Sequence, residues 1–287
     1  MNDNDWGNAE NMEEPIGEFS LDSINFSEVI HIIGAPSSGK THLITFLMYA
    51  LKHIYPVCQI MCGTEDTQNA FSPFCGGAFV SSKYDEFQHK RVFMRQVLCK
   101  KEKCEYNGLI SVIDDMASDK DAIKAAKNGG PIVKAHKNGA QWFDELLIMG
   151  YQSVRDISED IINVPSKVFI FFEKEDGNRR KLHKHYFKSV IPEFADFSKL
   201  MDKICGQKDD KFNCLVVDLK VQSAELSDCV FYFKAPAWKH KNPQDAKKAF
   251  KGYPEGWRFG CKQFQEWSDQ RWDPNAIPDF IQDLNEF

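Results

Sequence analysis

Three observations predict an α/β fold with a central, mostly parallel sheet flanked by helices. Short apolar runs recur along the chain, and helical patterns separate them. The runs are nearly continuous in apolar character, as strands covered on both faces are. The first run also meets the first helical pattern through a glycine-rich turn, the connection such sheets use to hold phosphate.

That first unit is Glu28 to Tyr49. Val29, Ile30, Ile32 and Ile33 form the strand, and Leu43, Ile44, Leu47, Met48, Leu51 and Ile54 recur at helical spacing after it. Between them, Gly34-Ala35-Pro36-Ser37-Ser38-Gly39-Lys40-Thr41 reads G-x-x-x-x-G-K-T, the phosphate-binding P-loop. Backbone N–H groups of such a turn converge on a phosphate chain, and the helix N-terminus adds partial positive charge. Lys40 is expected to reach the β- and γ-phosphates of ATP, and the Thr41 hydroxyl to ligate Mg²⁺.

The next strands are expected at Val57–Met61, at Leu109–Asp115, at Leu146–Met149 and at Lys167–Phe172. Two more follow at Cys214–Val217 and Cys229–Phe233. Phe71 to Val80, with Pro73, Gly76 and Gly77, reads as loop. Tyr84 to Lys103 reads as a charged helix, with Phe87, Arg91, Met94 and Leu98 along one side. Residues 116 to 141 contain Asn128-Gly129-Gly130-Pro131 and Asn138-Gly139, so helices there are short. Glu193 to Cys205 is amphipathic, with Phe194, Phe197, Leu200, Met201 and Ile204 on one face.

Hydrolysis needs a carboxylate to hold Mg²⁺ and a group to activate water. The strand ending in Asp114-Asp115 supplies both at the carboxyl edge of the sheet, where the P-loop also lies. Asp114 is assigned to Mg²⁺ and Asp115 to the catalytic base. Gln152, just after the following strand, suits orientation of the attacking water or sensing of the γ-phosphate.

Composition narrows the setting. The chain has 287 residues, 43% of them hydrophobic, enough for an ample core. No apolar run approaches the ~18 residues of a membrane span. The nine cysteines are odd in number and show no C-x-x-C pairing, as in a reducing compartment. Net charge is −6, so basic charge is local. Arg179, Arg180, Lys181, His183, Lys184, His185 and Lys188 form one cluster, and Lys239, Lys241, Lys247, Lys248 and Lys251 another. Residues 1–26 read as an acidic, flexible or loosely docked arm, 27–235 as the ATPase domain, and 236–287 as an irregular extension carrying Trp238, Trp257, Trp267 and Trp272.

The chain resembles the virion DNA-packaging ATPases of the nucleocytoplasmic large DNA viruses, a poxvirus- and iridovirus-type branch of the FtsK–HerA superfamily. The resemblance rests on Gly34 to Thr41, Cys62-Gly63-Thr64-Glu65, Val112-Ile113-Asp114-Asp115 and Gly150-Tyr151-Gln152. Asn213 to Asp218 and Val230 to Ala235 add a two-strand ending. It implies a RecA-like fold of the additional-strand, catalytic-carboxylate type. It also implies ATP hydrolysis coupled to moving viral double-stranded DNA into a capsid, by a homo-oligomeric ring in which a neighbour's arginine completes each site. Capsid or vertex proteins are the implied partners, and the virion or host-cell cytoplasm the implied location. The sequence departs from the pattern at Asn138-Gly139-Ala140-Gln141, where relatives read Asn-Gly-Arg-His, and at Ile162, near where another arginine is common. Arg155 stands nearby. A nucleotide-binding interaction module with little hydrolysis, or a small-molecule P-loop kinase, are the alternatives.

Overall fold

The computed structural model describes residues 16–236, apart from positions 53, 56, 65–66, 69–70, 72–74, 76–78, 105–107 and 209–211, together with Phe259. Among the described residues, eight strands form one sheet: β1 (Val29–Ile33), β2 (Val57–Cys62), β3 (Val80–Ser81), β4 (Leu109–Asp114), β5 (Glu145–Tyr151), β6 (Lys167–Ile170), β7 (Cys214–Asp218) and β8 (Val230–Phe233). Their spatial order is β3-β2-β4-β5-β1-β6-β7-β8. Strands β3 to β6 in that order pair in parallel, and β7 and β8 close the far side antiparallel.

The expected mostly parallel sheet is therefore present, with β1 near its middle. All five β1 residues are buried, which explains the apolar run that only His31 interrupts. Alternation then sends Ile30 and Ile32 into one core layer and Val29 and Ile33 into the other. Helix α1 (Lys40–Leu51) covers the first layer through Leu43, Ile44, Leu47 and Met48. On the second layer lie α2 (Glu86–Lys101), α3 (Lys120–Ala125), α4 (Pro131–Asn138), α5 (Asp176–Leu182) and α6 (Phe194–Cys205). A one-turn helix, α7 (Leu226–Cys229), leads into β8.

Several local expectations change. Helix α1 stops at Leu51, and Ile54 is 39% exposed rather than part of its apolar face. Helix α2 buries His89, Arg91, Val92, Phe93 and Gln96, and leaves Phe87 exposed. The reason is specific pairing: Phe93 stacks on Phe143 at 4.2 Å, and His89 Nδ1 meets the Tyr84 hydroxyl at 2.9 Å. A two-residue strand, β3, ends the segment read as loop. Helix α5 forms within the first basic cluster, anchored where Arg179 donates to Glu173 O and to Asp202.

Lys167 opens β6 fully buried, an unusual place for an ammonium group. Parallel and antiparallel neighbours supply its partners: Glu28 Oε2 at 3.0 Å and Asp218 Oδ2 at 3.2 Å. Burial pushes the Glu28 carboxyl up. Hydrogen bonds from Asn25 and Lys167 and the charges of Lys167 and Lys220 outweigh that and hold it below its usual value.

Within residues 16–26, the described part of the acidic arm, Gly17 to Phe19 lie along the β8 edge. Phe19 N donates to Tyr232 O at 2.8 Å and Tyr232 N to Gly17 O at 3.0 Å, which covers the open side of β8. Phe19 also packs edge-on against Phe169, Phe231 and Phe233. Residues 1–15 and the Trp-bearing extension, except Pro236 and the buried Phe259, lie outside the described residues.

Candidate nucleotide site

The carboxyl ends of β1, β4 and β5 converge, because β5 lies between the other two in register. Ile33 is opposite Tyr151, and Asp114 opposite Gly150. Gly34 N donates to Tyr151 O at 3.0 Å, so the P-loop departs directly from this shared edge. Gly34 has no room for a side chain: a Cβ would stand 2.5 Å from Ser38 Oγ and 2.8 Å from Phe171 Cβ. Ser37 and Gly39 both have positive φ, 62° and 106°, which turns successive N–H groups inward before α1 begins. Phe212 packs against Gly39.

Lys40 is 8% exposed, and its Nζ donates to Gly34 O at 2.7 Å and Ala35 O at 3.4 Å. The ammonium group thus lies folded back over the mouth of the loop. Burial lowers its pKa, opposed by the charges of Asp114, Asp115 and Asp156. Thr41, the next residue of α1, faces the β4 side, where its Oγ1 donates to Asp114 Oδ2 at 3.4 Å.

Asp114 is 1% exposed. Burial pushes its carboxyl up to about 6 against the pull of Lys40; Asp115 adds to the rise, and the Thr41 hydroxyl counters it. Its Oδ1 has no protein partner, and a Cβ on Gly150 would come within 1.9 Å of it. An orphaned buried carboxylate oxygen beside a hydroxyl is a hard-oxygen donor set. The residues present therefore fit Mg²⁺.

Asp115 leaves the strand in the left-handed region, φ 57°, which Asp tolerates better than most residues. Its N–H donates to Gly150 O at 3.3 Å, and its Oδ1 accepts from Gln152 Nε2. The sequence-predicted residues therefore gather in two contacting groups: Lys40 with Thr41 and Asp114, and Asp115 with Gln152.

Sequence reasoning missed Asp156, whose charge reaches Lys40. Its signal was present in Ser153-x-x-Asp156, the capping box that closes the turn after Gln152. Phe171 and Phe212, which wall the loop, had no such signal. Arg155 pairs with Glu175 at 2.5 Å on the surface, and Ile162 is buried.

No family model matches the chain. Among solved structures, the genome packaging NTPase B204 from Sulfolobus turreted icosahedral virus 2, in complex with AMPPCP, superposes with a TM-score of 0.52. The match covers 74% of this chain and 99% of that one at 16% identity. That likeness shows the fold, that of a P-loop NTPase. In sequence, uncharacterized protein 075L of Invertebrate iridescent virus 6 is 27% identical over 256 residues, 89% of this chain and 90% of the relative. Uncharacterized protein 088R of Invertebrate iridescent virus 3 is 32% identical over 207 residues, 72% of this chain and 75% of the relative. At that identity and coverage, the chain belongs to the same viral protein family as protein 088R.

Proposed function

We propose that this chain hydrolyses ATP with Mg²⁺ and uses the energy to move viral double-stranded DNA into a capsid during virion assembly. The observation that carries the reading is the meeting of Lys40, Thr41 and Asp114 at one sheet edge, with Asp115 and Gln152 beside them. The fold shared with a protein named as a genome packaging NTPase supports the DNA part.

In this reading the backbone from Gly34 to Gly39 holds the phosphates, and Lys40 exchanges its carbonyl partners for β- and γ-phosphate oxygens. Thr41 and Asp114 would hold the metal, which would supply charge neutralisation on the phosphates when bound. Gln152 gives its amide N–H to Asp115, which leaves its Oε1 to accept a hydrogen bond from water. Asp115 takes the proton as the water oxygen bonds to the γ-phosphorus and the bond to the ADP oxygen breaks. A homo-oligomeric ring engaging duplex DNA and capsid or vertex proteins, in the virion or host-cell cytoplasm, is the proposed setting.

ATP turnover measured against protein concentration, with and without duplex DNA, tests this reading. The expected result is a rate per chain that climbs with concentration, rises further with duplex DNA and is abolished in Lys40→Ala. Turnover indifferent to DNA at every concentration contradicts the motor. The surface pairing of Arg155 and the buried Ile162 favour a second reading, a nucleotide-binding module with little hydrolysis. Tight ATP binding without turnover at any concentration supports that alternative.

A further inference from the structure

Two basic clusters stand out in the sequence; the described one keeps Lys181, Lys184 and Lys188 exposed and without an ion pair among the described residues, while its arginines are engaged. Arg179 is held by Ser198 and Asp202, Arg180 pairs with Asp176, and the buried His183 contacts Ile191 O. The other cluster lies outside the described residues.

A different basic surface emerges on α3 and α4. Lys120, Lys124, Lys127, Lys134 and Lys137 are all exposed, and none makes an ion pair among the described residues. Their spacing explains the exposure: α3 buries Ala122 and Ala125, and α4 buries Ile132, Val133, Ala135 and His136. The lysines fall on the opposite sides. Both Lys124 and Lys134 lower the Glu86 pKa behind its principal partner Lys90, so the two helices present their charge to a common region. Asp119 is committed to capping α3 and to Tyr84 N. Glu86 and its neighbour Asp85, Asp121, and Asp160, whose carboxylate accepts from Asn128 N at 2.8 Å, are carboxylates at its margin. On a chain of net charge −6, this is a segregated positive face.

Its attachment matters as much as its charge. Only Met116 to Asp119 separate α3 from Asp114 and Asp115. A cavity of about 40 Å³ lies between the two sides of this region. Met116, Ala122 and Ile132 line one side, and Gly150, Tyr151 and Ile161 the other. The helices are thus tethered to the carboxylates, with unfilled space beside the tether. In the other direction, α4 touches β1, where His136 meets His31.

We infer that the α3–α4 surface binds the phosphate backbone of duplex DNA through Lys124, Lys134 and Lys137, with Lys120 and Lys127 at its margin. The inference rests on the motor reading for the choice of duplex DNA as the polyanion. The five exposed lysines offer flexible point charges, which suit sequence-independent contacts to phosphates.

The test is duplex binding by the full chain across a salt series, with a non-hydrolysable ATP analogue present. Wild type is compared with Lys124→Gln/Lys134→Gln/Lys137→Gln and with the control Lys181→Gln/Lys184→Gln/Lys188→Gln. The first triple variant is expected to weaken binding at least about tenfold and to flatten the log–log salt slope by about 2 to 3. The control is expected to stay near wild type, and turnover without DNA to be unchanged in both. Nucleotide affinity equal to wild type verifies that the surface changes leave the fold intact. Duplex affinity unchanged in the α3–α4 variant, or equal losses in both variants, overturns this surface while leaving the motor standing. A wild-type chain that does not bind duplex at low salt removes the motor reading and this one together.

Discussion

Asp114 uses its two oxygens differently: Oδ2 faces Thr41, while Oδ1 is buried against Gly150 with no protein partner. Only hydrogen at position 150 leaves that oxygen where it is. Gly150→Ala is expected to cost about 1–3 kcal/mol of stability through overpacking. It is also expected to reduce ATP turnover by roughly 10–100-fold, with the Mg²⁺ dependence shifted to higher concentration. Metal titration of turnover checks this, and an unshifted titration contradicts the assignment of Asp114. Lys167 invites a stability test at the same scale. It stands between Glu28 and Asp218 in the core, so Lys167→Ala leaves Glu28 buried with only the half-exposed Lys220 opposite. A loss of about 3–5 kcal/mol in urea unfolding is expected.

Strand β1 and helix α4 meet through two imidazoles rather than through apolar side chains alone. Nε2 of His31 lies 2.9 Å from Nε2 of His136, and His136 Nδ1 lies 2.8 Å from Ile132 O. A carbonyl only accepts, so His136 Nδ1 carries the hydrogen, its Nε2 accepts, and His31 Nε2 donates. Both rings are then neutral. Burial lowers His31 well below the usual range and lowers His136 to about 4, and His89 nearby to about 3. Unfolded imidazoles take up a proton near pH 6.5, so below that value the unfolded chain binds more protons. The stability these groups contribute is complete above pH 6.5 and declines as pH falls toward about 4 and about 3. Glu145, which burial pushes up to about 7, acts with the opposite sign as pH rises from 4.5 to 7; Asp114 does likewise between 3.8 and about 6. The histidine part is therefore read as a difference. Between pH 6.5 and 5, wild type is expected to lose more stability in urea than His31→Val/His136→Leu, whereas parallel profiles contradict the account.

Across the whole molecule, what was legible in the sequence is what depends on local pattern. Buried parallel strands read as apolar runs, and the P-loop and the Asp114-Asp115 tip read as motifs at strand ends. What was not legible depends on partners distant in sequence. The buried face of α2 is set by Phe143 and Tyr84, the wall of the P-loop by Phe171 and Phe212, and the burial of Lys167 by Glu28 and Asp218. The lysines on α3 and α4 were scattered among glycines in the sequence, and only folding brought them to one surface. The proposed movement of DNA belongs to this scale, since no single residue could perform it. Displacement of a triplex-forming oligonucleotide from duplex DNA measures movement directly. The account predicts release that requires ATP and Mg²⁺, increases steeply with protein concentration and disappears in Lys40→Ala. Hydrolysis of ATP on duplex DNA with the triplex left intact would contradict it.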